Sequence, residues 1–202
     1  MPESILFWPG REKNANVLAY FLSILKNIHA IENVSLEYDR GEAPFAPNSE
    51  WVTELKKNNH KWWIGISLGA SLAYTFASLL NETDKPERLT LINPFASRSE
   101  LSKEKGFSMN GQWDFSPINS ELYIKRIEIV VSVFDEKIPI YHGISLLYKS
   151  TSVTKSLIFI DDKHQIQNES AQKELAYVLL NKKKTAEVQY GKTHYCNIYQ
   201  QQ

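Results

Sequence analysis

Apolar residues along this chain alternate between two rhythms: short continuous runs, and longer stretches in which they recur every three or four positions. Residues 4–8 form a run of the first kind, and residues 16–28 carry Val17, Leu18, Tyr20, Phe21, Leu22, Ile24, Leu25 and Ile28 at helical spacing. A second strand is expected over residues 34–38, then a loop with Pro44 and Pro47 over residues 41–48. A short helix over residues 49–58 follows, capped by Ser49. Residues 62–66 read as a third strand. The helix after Ser67 sets Gly69, Ala73 and Ala77 at four-residue spacing, a small-residue face able to lie close to a sheet. Residues 88–92 give a fourth strand, and residues 127–134, IEIVVSVF, are the most β-branched run and read as a buried strand at or near the centre. A helix over 140–149, a sixth strand over 156–160 and a helix over 169–180 complete the pattern. Helices between nearly every pair of strands require a parallel sheet covered on both faces, so the expected fold class is α/β with three layers.

Two stretches fall outside this rhythm. Residues 96–125, rich in Ser, Gly and Asn and holding Trp113, Phe115 and Pro117, are long for a connection and short for a domain, which marks a lid-like insertion. Residues 182–202 begin with three lysines and end polar, and are expected as a C-terminal tail, either disordered or packed as one extension. Residues 1–181 are then one domain, since 202 residues with 43% hydrophobic content fill one core and not two. The 23 basic residues balance 23 acidic ones, so no nucleic-acid partner is expected. No apolar run approaches the span of a bilayer, and the opening MPESILFWPGREK lacks both a basic leader and a long apolar core, so no membrane partner and a cytoplasmic location are expected. The single cysteine, Cys196, has no partner for an internal disulfide and reads as a surface or packing residue.

Chemistry enters at Gly65-Ile66-Ser67-Leu68-Gly69, a GxSxG placed between an apolar run and a small-residue helix. This is the sequence form of a nucleophile elbow, a strand-to-helix turn so tight that glycines must flank the serine. A serine hydroxyl needs a base, and the base an orienting acid. Of the five histidines, His29 and His60 precede the elbow at positions expected to face solvent, His142 lies early in a helix and His194 in the tail. His164, in Asp161-Asp162-Lys163-His164, directly follows the sixth strand, at the end of a parallel sheet where sites assemble. Asp135 stands just past the strongest strand, with Glu136 as the fallback acid; a turn or capping role is the competing reading for Asp135. Asp161 and Asp162 are placed to cap the loop that presents His164.

GISLG, VSVFDEKIP and FIDDKHQI together resemble the α/β-hydrolase superfamily over residues 5–180. The order Ser67, Asp135, His164 is that family's order of nucleophile, acid and base. The resemblance implies a trimmed, mostly parallel sheet of six strands in the order 2-1-3-4-5-6. It also implies an oxyanion hole from the Leu68 N–H and a second donor at Gly10 or Arg11, in the loop after the first strand. The implied activity is hydrolysis of an ester or thioester of a small or carrier-protein-bound acyl group, with no metal or other cofactor. Trp8, Phe95, Trp113 and Phe115 are candidates to line an acyl pocket, each with core or lid packing as the alternative. The competing function is a binding protein that keeps the fold without turnover.

Overall fold

A computed structural model describes residues 4–10, 18–34, 53, 55–56, 60–106, 115–180 and 193–198. Strands and helices alternate: β1 (Ile5–Trp8), α1 (Ala19–Lys26), β2 (Ile31–Asn33), β3 (Trp62–Ile66), α2 (Leu68–Leu79), β4 (Arg88–Ile92), α3 (Arg98–Lys105), β5 (Arg126–Ser132), α4 (Ile140–Lys149), β6 (Thr154–Ile160), α5 (Glu169–Leu179) and β7 (Thr193–Ile198). The described strands form one sheet in the order β2-β1-β3-β4-β5-β6-β7. The first six are parallel and follow the expected order 2-1-3-4-5-6, while β7 adds to β6 antiparallel, with Leu157 opposite Cys196. Part of the expected tail is therefore a sheet strand.

Strand periodicity sorts the core into two layers. Trp62, Ile64 and Ile66 of β3 point to one face, where Leu18, Phe21 and Leu25 around α1 meet Leu175 and Leu179 of α5. Trp63 points to the other face with Leu6 and Trp8, against Leu72, Tyr74 and Phe76 of α2 and Leu146 of α4. These runs are apolar on both sides because the parallel sheet is covered on both sides.

Two expectations shift, and a third holds over the described residues. The second strand pairs over Ile31–Asn33 and ends upstream of residues 34–38; Val34 still gives its N–H to the Phe7 carbonyl, and residues beyond it lie outside the described part. Residues 53, 55 and 56, inside the expected helix over 49–58, are helical. The fifth strand stops at Ser132, so Val133 and Phe134 leave the sheet and are 42% and 63% exposed. The Phe134 N–H binds the Asp162 carbonyl instead of a β-ladder partner, which turns the chain toward the loop after β6.

The described part of residues 96–125 is packed structure. Ser97 caps α3 by accepting from the Glu100 N–H, and Gly106 closes it with φ 69°. The chain returns through a 3-10 turn (Pro117–Asn119), where Ile118 donates to the Ala96 carbonyl and Arg98 to that of Phe115. Leu101, Phe115, Leu122 and Ile124 are buried in the core, because a parallel β4–β5 pair needs a crossover on that face.

Candidate active site

The elbow is built by close backbone approach. A Cβ on Gly65 would lie 2.5 Å from the Ala70 Cα, and one on Gly69 would lie 2.2 Å from the Pro9 carbonyl oxygen and 2.3 Å from that of Trp8. The first glycine lets α2 start directly over the end of β3, and the second lets the loop after β1 press on the start of that helix. Ser67, between them, holds φ 54° and ψ −123°. Such a conformation costs a non-glycine residue about 1–3 kcal/mol. Its N–H is bound by the Ile92 carbonyl at 2.8 Å, which fixes the elbow to the end of β4.

Three strand ends deliver three side chains to one point. His164 Nε2 lies 2.9 Å from Ser67 Oγ, and His164 Nδ1 lies 2.7 Å from Asp135 Oδ2. An ionised carboxylate only accepts, so the proton sits on Nδ1 and the Nε2 lone pair faces the serine hydroxyl. The side chains of His164 and Asp135 are 7% and 2% exposed, while Ser67 stays partly open. Asp135 makes contacts on both sides: Oδ2 meets the imidazole, and Oδ1 accepts the N–H groups of Lys137 and Ile138, each at 2.8 Å. Asp162 caps the His164 loop, accepting from the N–H groups of Lys163 at 2.7 Å and Asn168 at 2.9 Å.

Three of the other histidines are engaged elsewhere, and the fifth, His194, lies on β7. His142 is fully buried; its Nδ1 accepts from the Ala96 N–H at 3.2 Å and its Nε2 lies 3.6 Å from a Glu104 oxygen. Burial pushes its pKa down, against the opposing pull of Glu104 and Glu100. His60, expected to face solvent, has a side chain only 11% exposed and bonds Ser4 Oγ and Glu32 Oε2, each at 3.0 Å. His29 stacks edge-on to Trp62.

The remaining candidates divide. Gly10 stands against the elbow: a Cβ built on it would lie 3.5 Å from Ser67 Cβ. Leu68 is the first residue of α2, and Arg11 lies outside the described residues. Trp8 is a correction, since strand alternation turns it into the core, fully buried against Trp63 and Phe76 with ring centroids 5.2 and 5.4 Å away. Phe95 and Phe115 are buried against each other at 5.3 Å, and Trp113 lies outside the described residues. Among the described residues, no group of three or more His, Cys, Asp or Glu is placed to hold a metal ion, and no helix is long and apolar enough to cross a membrane.

Sequence reasoning passed over Asn93. It follows β4 with φ 48°, is 2% exposed, and makes three side-chain hydrogen bonds at the same end of the sheet. Its signal was the Asn-Pro pair directly after an apolar run, a turn marker.

No family model and no curated protein matches the sequence. Solved structures match the fold. The α/β-hydrolase domain-containing protein 10 from mouse is 15% identical with a TM-score of 0.64, the match covering 88% of each chain. The esterase domain from a Rhodothermus marinus protein is 12% identical with a TM-score of 0.62, over 88% of this chain and 84% of that one. The RedJ thioesterase from the prodiginine pathway of Streptomyces coelicolor is 15% identical at 0.62, with the same coverage.

Proposed function

We propose, taking as premise that this chain has the α/β-hydrolase fold, that it is a serine hydrolase acting on an ester or thioester of a small or carrier-bound acyl group. The observation that carries the reading is the unbroken hydrogen-bonded line from Asp135 through His164 to a strained, partly open Ser67. The esterase and thioesterase among the similar structures support the acyl class of substrate.

In this reading Ser67 Oγ attacks the acyl carbonyl while His164 Nε2 takes its proton. Asp135 stabilises the imidazolium and keeps its tautomer. The tetrahedral oxyanion lies at the start of α2, where the Leu68 N–H and the loop at Gly10 supply donors and the helix terminus favours negative charge. The intermediate collapses as His164 returns the proton to the departing alkoxide or thiolate, and water repeats the sequence on the acyl-serine. Phe95, just past the end of β4, packs on Phe115, and the pair are our candidates for acyl contact. Arg11 and Trp113 keep the same proposed roles, as second oxyanion donor and pocket residue.

A fluorophosphonate probe tests this directly. The expected result is a single adduct on the peptide carrying Ser67, lost in Ser67→Ala, with p-nitrophenyl acetate turnover falling about 10⁴-fold or more. An unlabelled Ser67, under conditions that modify a control hydrolase, returns the chain to the binding-protein reading.

A further inference from the structure

We infer that Asn93 is a positioning residue that holds the acid and base loops in register with the elbow, an inference that rests on the proposed serine-hydrolase reading for its catalytic meaning. Asn93 sits where the three carriers meet. The carbonyl of the preceding residue, Ile92, accepts the Ser67 N–H at 2.8 Å. Asn93 Oδ1 accepts the Ser132 N–H at 2.7 Å, and Nδ2 donates to Ser132 Oγ and to the His164 carbonyl, both at 2.9 Å. Ser132 in turn accepts the Asp135 N–H through its own carbonyl at 3.2 Å. One side chain therefore ties the backbone of the base to the turn that presents the acid, from a residue whose neighbour fixes the nucleophile.

The amide orientation is set by its partners. A backbone N–H can only donate and a carbonyl can only accept, so Oδ1 must face Ser132 N and Nδ2 must face His164 O. Both amide protons are used, and the group is 2% exposed, so no water substitutes for a lost partner without rearrangement. The backbone at φ 48° is one that Asn, Asp and Gly tolerate and most residues do not. A carboxamide is the one side chain of this size that offers both a donor pair and an acceptor from that conformation.

The test uses two variants of the full chain that keep the backbone conformation. Asn93→Gly removes all three side-chain bonds, and Asn93→Asp keeps the acceptor for Ser132 N–H and removes the donors to Ser132 Oγ and the His164 carbonyl. Two readouts are taken: the rate of fluorophosphonate labelling at Ser67, and the low-field NMR signal of the His164 Nδ1 proton held by Asp135. Labelling in both variants is expected to slow about 10–100-fold, the scale for small misplacement of a reacting group, with the proton signal broadened or lost. A folded variant that labels within twofold of the parent and keeps the signal overturns the inference, as does failure of both variants to fold, which makes Asn93 purely structural. If the parent protein is not labelled yet shows the proton signal, and the variants lose it, the hydrolase reading fails while the positioning of His164 by Asn93 stands.

Discussion

The two ends of the sheet use the same chemistry to opposite purposes. At the amino ends of β3, β4 and β5, the carboxylate of Glu128 is 1% exposed and fully engaged. Arg88 grips it with Nε at 3.0 Å and an Nη at 2.7 Å, Arg126 reaches it at 2.7 Å, and Thr90 donates at 2.5 Å. Trp62 Nε1 donates to Thr90 Oγ1, and Arg88 stacks over the Trp62 ring and bonds the Leu179 carbonyl at the end of α5. At the carboxyl end of the sheet, past β5 and β6, Asp135 and His164 are comparably enclosed, but their line of hydrogen bonds ends on a partly open hydroxyl in a strained backbone. A closed network of this kind locks strands to a helix. An open-ended one leaves its last member able to react.

Breaking each network should therefore separate rate from stability. The largest effect is expected for Asp135→Asn, which keeps the Oδ1 acceptor for the 137–138 turn but loses the carboxylate toward His164. kcat should fall about 10⁴-fold, measured with p-nitrophenyl acetate, with little change in Tm. Glu128→Ala strands two arginines and should cost about 3–5 kcal/mol, roughly 6–20 °C in Tm at this chain length. The same variant should retain parental turnover per folded molecule, and a rate loss beyond its loss of folded protein would erase the contrast between the two ends. Smaller again is Gly69→Ala, whose methyl would meet the Pro9 and Trp8 carbonyls and push the Gly10 loop off the elbow. Loss of one oxyanion donor would lower kcat about 10²–10³-fold; an unchanged kcat would show that this loop donates nothing to the reaction.

The elbow and its partners were legible because each is governed by local rules. Ser67 is announced by the glycines its turn requires, and Asp135 and His164 by standing just past apolar runs in a chain whose alternation dictates a parallel sheet. Helix α3 was missed although its punctuation is present: Ser97 and Glu100 at capping-box spacing and Gly106 beyond the end. Its polar sequence hides the core-facing Leu101, and tertiary demand for a crossover decides the outcome. Trp8 stood open between pocket and core because a strand alternates, and only the location of α2 says which face is the interior. Asn93 and β7 rest on partners distant in sequence, which periodicity does not reveal.

The margins of the sheet carry a consequence for solution behaviour. Among the described strands, the parallel array begins at β2, three residues long, whose Glu32 is tied to His60. It ends at β6, whose free side is taken by β7 in the reverse direction. A short, charged margin offers few backbone groups to a neighbouring molecule, and on the opposite side the chain's own return covers β6 and becomes the edge. The two edges are thus unlike, one short and charged and the other the six-residue β7, and removing residues 182–202 would shift the open ladder onto β6, the strand that delivers His164.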